Sequence, residues 1–194
     1  MSIETQEKIM LSIPDSFESP RLIIRAPLYG DGAASYEAVQ ESMEELRPWM
    51  PFANDSLTAE NSEINIREAY LKFLERTDLR LLLFSKENGQ FVGSSGLHRI
   101  DWDVRKFEIG YWLRSSYAGQ GYMTEAVEAV TNYAIHELAA NRIEIRCDAR
   151  NVKSAKVAER NGFVLEGILR GDSLDVNHQL SDTMVFSKVR GKEF

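Results

Sequence analysis

The sequence predicts an α+β (mixed α/β) domain, with a central, mostly antiparallel mixed sheet flanked by helices. Three observations carry that expectation. Residues 79–113 hold three apolar runs separated by turns of only a few residues, the mark of antiparallel neighbours. After residue 113 the pattern changes to helix, strand, helix and two more strands. At 194 residues, 43% hydrophobic and 27% charged, the chain is long enough for one real core and short for two, so 1–194 is read as a single domain.

Residues 1–18 are mostly polar and read as an N-terminal arm. The run 21–25 (RLIIR) is a short strand between Pro20 and Pro27. From 31 to about 45, Ala34, Ala38, Met43 and Leu46 suit one or two short helices. Pro48 and Pro51 then enforce a loop through Trp49, Met50 and Phe52. Thr58 is placed to cap a long helix whose apolar stripe reads as Ile64, Ile66, Tyr70, Leu71 and Leu74. The run 79–85 (LRLLLFS) is a buried strand, and Asn88-Gly89 signals a hairpin. Residues 91–100 and 107–113 (FEIGYWL) follow as strands, with a turn at 101–103. A glycine-rich stretch, 116–121, opens a helix of about 18 residues with Met123, Val127, Val130, Ala134 and Leu138 on its apolar face. Residues 142–147 (RIEIRC) form a strand, and Asn151 caps a helix that stops at Asn161-Gly162. Two strands, near 163–170 and 178–189, end the chain.

Composition removes several function classes. The formal charge is −7, so a broad basic surface for direct nucleic-acid binding is not expected. One cysteine excludes an internal disulfide, and with three scattered histidines it gives no expectation of a metal site. No apolar run approaches the ~18 residues of a membrane span, and the first residues lack a signal-peptide core. A cytoplasmic protein without a membrane partner is expected.

The strand–glycine-loop–helix unit at 107–138 carries the chemistry. Gly119 and Gly121 leave N–H groups unobstructed at a helix start, where the helix dipole favours a phosphate or pyrophosphate. A Walker loop needs Gly-Lys-Ser/Thr, which is not here, and a dinucleotide fingerprint needs glycine where this chain has Thr124. Glycine spacing alone suits a tight strand-to-helix turn equally well. The run 108–113 (EIGYWL) followed by 117–126 (YAGQGYMTEA) resembles the acetyl-CoA-binding motif of the GNAT N-acetyltransferases. Within them it looks like the Rim branch, which acetylates the N-termini of ribosomal proteins. The blocks 151–163 (NVKSAKVAERNGF), 46–51 (LRPWMP) and 21–25 agree, and the resemblance spans roughly residues 18–189. Ser116 departs from the family, which often has Arg or Gln there; the loop amides matter more than that side chain.

The resemblance implies a GNAT-like fold in which two parallel strands, 107–114 and 142–148, splay apart to admit the pantetheine arm of acetyl-CoA. It implies cofactor contacts at Trp112, Leu113, Arg114, Gly119, Gln120, Gly121, Tyr122, Met123, Thr124, Asn151 and Lys156. A basic stretch between 140 and 160 (Arg142, Arg146, Arg150, Lys153, Lys156, Arg160) is consistent with an anionic cofactor, though a solvated helix face explains part of it.

Aminolysis of a thioester needs a base, a donor for the carbonyl oxygen and an acid for the thiolate. Glu108, on a strand face with Gly110, Trp112 and Arg114, is the base candidate because the resemblance implies a glutamate base at this position, acting directly or through water. By strand position alone it reads as an exposed or salt-bridged strand-start residue. The N–H of Leu113 is the candidate oxyanion donor, and Ser154 the candidate acid. Asn151 and Ser154 also read as plain helix capping. Cys147 lies near the expected thioester; direct transfer is the family expectation. An α-amine, of pKa about 7.7–8.0, suits a single modest base better than lysine at about 10.4. The expected partner is therefore an amine substrate, a ribosomal protein N-terminus in first place. Trp49, with Phe52, Glu41, Glu44 and Glu45, reads either as an apolar and acidic wall for its cationic end or, equally, as core (Trp49, Met50) beside a solvated helix face. A polyamine or amino-sugar acetyltransferase and a non-catalytic acyl-CoA sensor stay open. The sequence is compatible with a monomer or a homodimer.

Overall fold

The computed structural model describes residues 8–194. Eight strands form one sheet: β1 (Ser16–Glu18), β2 (Leu22–Arg25), β3 (Leu79–Ser85), β4 (Phe91–Asp101), β5 (Lys106–Leu113), β6 (Arg142–Asp148), β7 (Val164–Leu174) and β8 (Leu180–Val189). Their order is β1-β2-β3-β4-β5-β6-β8-β7. All neighbours are antiparallel except β5 and β6. That pair is parallel because a helix, α4 (Tyr122–His136), must carry the chain back across the sheet. The mixed, mostly antiparallel sheet is thus as the sequence predicts. Part of the supposed arm is not an arm: Phe17 pairs with Ile24 and stacks on Tyr133 at 4.4 Å. The first seven residues of that arm lie outside the described residues.

Helices cover both faces. Met123, Val127, Val130 and Ala134 of α4 and Ala155 and Ala158 of α5 (Val152–Arg160) bury against Leu81, Leu83, Phe107, Ile109, Ile143, Ile145 and Phe186. On the other face α1 (Gly32–Glu41), the short α2 (Met43–Leu46) and α3 (Ala59–Glu75) lie against Leu82, Phe91 and Trp112.

Thr58 caps α3 by accepting from the Asn61 N–H at 3.1 Å. The expected stripe of α3 is corrected, however. Ile64, Leu71 and Leu74 are exposed, and the buried line is Ser62, Ile66, Ala69 and Phe73. Spacing of four, three and four selects one face of the helix, and hydropathy alone had favoured residues that flank it. α4 is also shorter than expected, at 15 residues. Leu138 nonetheless stays buried beyond its end.

Candidate active site

β5 and β6 run together only at Lys106–Arg142, Phe107–Ile143 and Glu108–Glu144. β5 continues to Leu113 and β6 to Asp148 without further pairing to each other. β6 remains tied to β8 along its whole length, and β5 to β4 through Leu113, so the opening lies between two supported edges. The Arg114 N–H donates to Val92 O at 2.8 Å, which sets the phase of the β4–β5 ladder. With antiparallel alternation, the N–H groups of Ile109, Tyr111 and Leu113 then face the opening. A strand edge with free amides is a ready template for an extended, amide-bearing chain.

The glycine loop closes one end of this seam. A 3₁₀ turn, Ser115–Tyr117, leads to Gly119 at φ 75° and Gly121 at φ 81°. Gly121 is the N-cap of α4 and supplies no side chain, so the first N–H groups of the helix keep their donors for a ligand. Tyr122 and Met123 bury their side chains in the core and offer only backbone. An open groove of about 620 Å³ runs beside the loop, lined by Pro20, Gly119, Gly121, Thr124, Glu125, Glu128 and Arg160.

Side chains to which the sequence assigned no such part hold this loop. Arg21 donates to Gln120 O at 3.0 Å and to Glu125 at 2.6 Å, and lies over the Tyr122 ring at 4.1 Å. Ser19 donates to Glu125 at 2.7 Å. Burial opposes ionisation of Glu125, but the bonds from Ser19 and Arg21 outweigh it and hold its carboxyl below the usual range. Glu41 accepts from Arg114 at 2.7 Å and from the Ser116 N–H at 2.9 Å, and Glu45 from Ser115 Oγ at 2.9 Å. These two glutamates fasten the loop to α1 and α2, which corrects their reading as a wall for a cation. The Arg114 side chain is committed to the same contacts, and its backbone is paired as well, the N–H with Val92 O and the carbonyl with the Tyr117 N–H at 3.0 Å, so the cofactor contact expected of Arg114 has no free polar group there.

The basic stretch also divides. Arg142 pairs with Glu144 and Glu166, Arg146 with Asp172, and Arg150 with Asp148 and Asp175. Those guanidiniums serve the β6–β8–β7 sheet. Lys156 stays exposed on α5, and Arg160 reaches the groove.

Glu108 sits at the last paired position before the strands part, with its side chain largely buried at 16% exposure. Burial pushes its carboxyl above the usual range, against the pull of Arg99, Arg146 and His98. Arg99 reaches it at 2.9 Å but is 70% exposed, so this partner is held loosely and an incoming cation can replace it. A partly desolvated carboxylate with a displaceable cation suits a base for an ammonium group.

On the opposite face of β5, Tyr111 OH donates to Ser154 O and accepts from Ser154 Oγ, both at 3.0 Å. Sequence reasoning missed Tyr111; reading the second face of the FEIGYWL strand would have found it. Asn151 Oδ1 accepts from the Ser154 N–H at 3.1 Å, so Asn151 is the cap and the Ser154 hydroxyl is not. Burial pushes the Cys147 thiol up, despite its bond with Ser154, which works against a thiolate nucleophile.

Trp49 is half-buried in its loop. The aromatic surface near the opening is built instead by Trp112, 5.7 Å from Phe91 and 6.0 Å from Phe52, which is exposed. Proline spacing marked the loop, but not which ring faces the strand.

A family model described as an acetyltransferase (GNAT) domain matches residues 21–164. YdaF of Bacillus subtilis (strain 168), named provisionally as a ribosomal N-acetyltransferase, is 32% identical over 155 residues, covering 79% of this chain and 83% of that protein. A ribosomal-protein-serine acetyltransferase of Escherichia coli (strain K12) is 30% identical over 115 residues, 59% of this chain and 63% of its own length. Among solved structures, the microcin C7 self-immunity acetyltransferase MccE in complex with acetyl-CoA and AMP superposes with a TM-score of 0.83 at 22% identity, covering 93% of this chain and 99% of that one.

Proposed function

The chain belongs to the GNAT acetyltransferase family, and on that premise we propose that it moves an acetyl group from acetyl-CoA to a protein N-terminal α-amine of the ribosomal-protein type. The observation that carries this reading is Glu108, a partly desolvated carboxylate at the point where β5 and β6 part. The ribosomal names of the two relatives support the choice of acceptor.

When bound, acetyl-CoA supplies an activated acyl thioester. The residues present fit it: free amides along the open edge of β5, uncapped N–H groups at the start of α4, and Arg160 lining the groove, with Lys156 exposed on the same helix. Gly119, Gln120, Gly121, Tyr122, Met123 and Thr124 hold the pyrophosphate through backbone, with the dipole of α4 behind them. Tyr111 and Leu113 offer the strand edge to the pantetheine amides, while Trp112 and Arg114 turn their backbone groups toward β4, and Asn151 keeps its Nδ2 for the pantetheine. Glu108 takes a proton from the amine, and the Leu113 N–H donates to the carbonyl oxygen as charge develops there. Ser154, backed by Tyr111, returns a proton to the thiolate.

The test is mass spectrometry of protein N-terminal acetylation in the source cells with and without the gene, followed by assay of the purified chain on the peptides so found. Glu108→Gln is expected to lower turnover roughly 10²–10³-fold while acetyl-CoA binding survives. Unchanged N-terminal acetylation, with transfer to polyamines instead, would overturn the choice of acceptor.

A further inference from the structure

Acetylation removes two protons from one nitrogen: the ammonium loses one before it attacks, and the second leaves as the C–N bond forms. Glu108 is one base. A second stands directly across the β4–β5 ladder, where His98 pairs with Glu108, so both side chains leave the same face of the sheet. His98 Nδ1 lies 2.7 Å from Asp78 Oδ2, just before β3. That contact makes Nδ1 the protonated nitrogen and leaves the lone pair on Nε2. The ring lies over Gly110. A Cβ there would fall 2.9 Å from His98 Cδ2 and 3.1 Å from Nε2, so only glycine leaves room for it. Nε2 therefore opens onto the face of β5 between Glu108 and Trp112, with no hydrogen-bond partner among the described residues.

We propose that His98, held by Asp78, takes the first proton from the acceptor ammonium and Glu108 takes the second. The inference rests on the acetyl-transfer reading above. His98 Nε2 presents an unshared lone pair to this face, whereas Glu108 already holds Arg99 at 2.9 Å, so His98 is the better placed acceptor for the first proton. The charges around the dyad are Asp78 and Arg80 from the β3 side, Glu68 of α3 beside Arg80, Arg99 of β4, Glu108 of β5 and Arg146 of β6. An imidazolium formed between Asp78 and Glu108 is stabilised by both. The accounting closes. One N–H bond breaks toward Nε2, and its electron pair stays on nitrogen and forms the C–N bond as the C–S bond breaks. The second proton goes to Glu108. One proton then protonates the thiolate and one leaves to solvent.

The test combines side-chain nitrogen NMR of the three histidines with rate–pH profiles on an N-terminal peptide panel, for wild type, His98→Gln, Asp78→Asn and Glu108→Gln. The NMR is expected to show His98 protonated at Nδ1 when neutral. That tautomer preference should be lost in Asp78→Asn and kept in Glu108→Gln. His98→Gln is expected to lower kcat/KM at least about tenfold near pH 7, and to converge on wild type once pH exceeds the amine pKa; Glu108→Gln should stay slow there. A His98→Gln profile parallel to wild type, or a neutral His98 protonated at Nε2, would overturn the role of His98 and leave the acetyl-transfer reading standing. A folded wild-type chain that binds acetyl-CoA and acetylates no amine would overturn that reading and this one with it.

Discussion

Ser154 and Tyr111 exchange hydrogen bonds across the seam between α5 and β5, each as donor and acceptor. Burial pushes the Tyr111 phenol well up, so it stays protonated and can only relay or donate a hydrogen bond. Because Asn151 supplies the helix cap, Ser154→Ala leaves the cap intact and removes the hydroxyl's bonds with Tyr111 and Cys147, worth about 1 kcal/mol each. Transfer is expected to slow about 10²-fold, the low end for loss of an acid. The loss should shrink on a thioester whose thiol is more acidic, because that leaving group needs less help. Comparing both donors, with Tyr111→Phe beside Ser154→Ala, checks the assignment. Equal fractional losses on the two donors would make the pair a positioning device. The residue types of this site were legible in sequence: Glu108 from strand alternation, Ser154 from its helix start. Their partners were not. Arg99, His98, Asp78 and Tyr111 meet them only through register and through side chains distant in sequence.

At the scale of elements, the glycine loop and α4 form one unit. Gly121 sits in the left-handed region at φ 81° as the N-cap, where a β-branched residue is strained. Gly119 has the same sign of φ, and no atom lies within 4 Å of the position its Cβ would take, so a side chain there projects into open space. Gly121→Val is expected to weaken CoA binding more than tenfold, by strain and by covering the amides. Calorimetry on the folded variant checks this, and retained affinity would remove the loop from the binding site. Glycine spacing announced the loop. It did not announce that Arg21, Ser19, Glu41 and Glu45 fasten it from the β1–β2 turn, α1 and α2, because such contacts leave no periodic trace. The stripe of α3 failed for a related reason: with large apolar residues on several sides, the tertiary neighbour decides which face is inside.

Across the whole molecule, the opening exists because β6 is secured from its other side by β8, which in turn pairs with β7. Asp148, at the end of β6, binds Arg150 at 2.6 Å, and Arg150 reaches Asp175 at 3.0 Å near the β7–β8 turn; Ser181 also donates to Asp148. The Arg150 bonds come first in holding the Asp148 carboxyl far below its ordinary value, against a burial cost. A depressed folded pKa stabilises above the unfolded value of about 3.9 and loses that stabilisation as pH falls. Asp148→Asn is expected to lower Tm by roughly 3 to 12 °C at pH 7, with the gap to wild type closing in acid below about pH 4. Thermal unfolding at a series of pH values checks it; a gap constant with pH would mean the carboxylate charge is not what matters. By itself the sequence determined most of the helices and strands, the glycine loop, the family-like motifs and the residue proposed here as base, because alternation, caps and turn residues are local. Only the tertiary structure decided where β5 leaves β6, which arginines are spent on the sheet and which ring faces the seam. Those depend on strand order and long-range ion pairs, and the free energy that fixes them is shared among residues far apart in the chain.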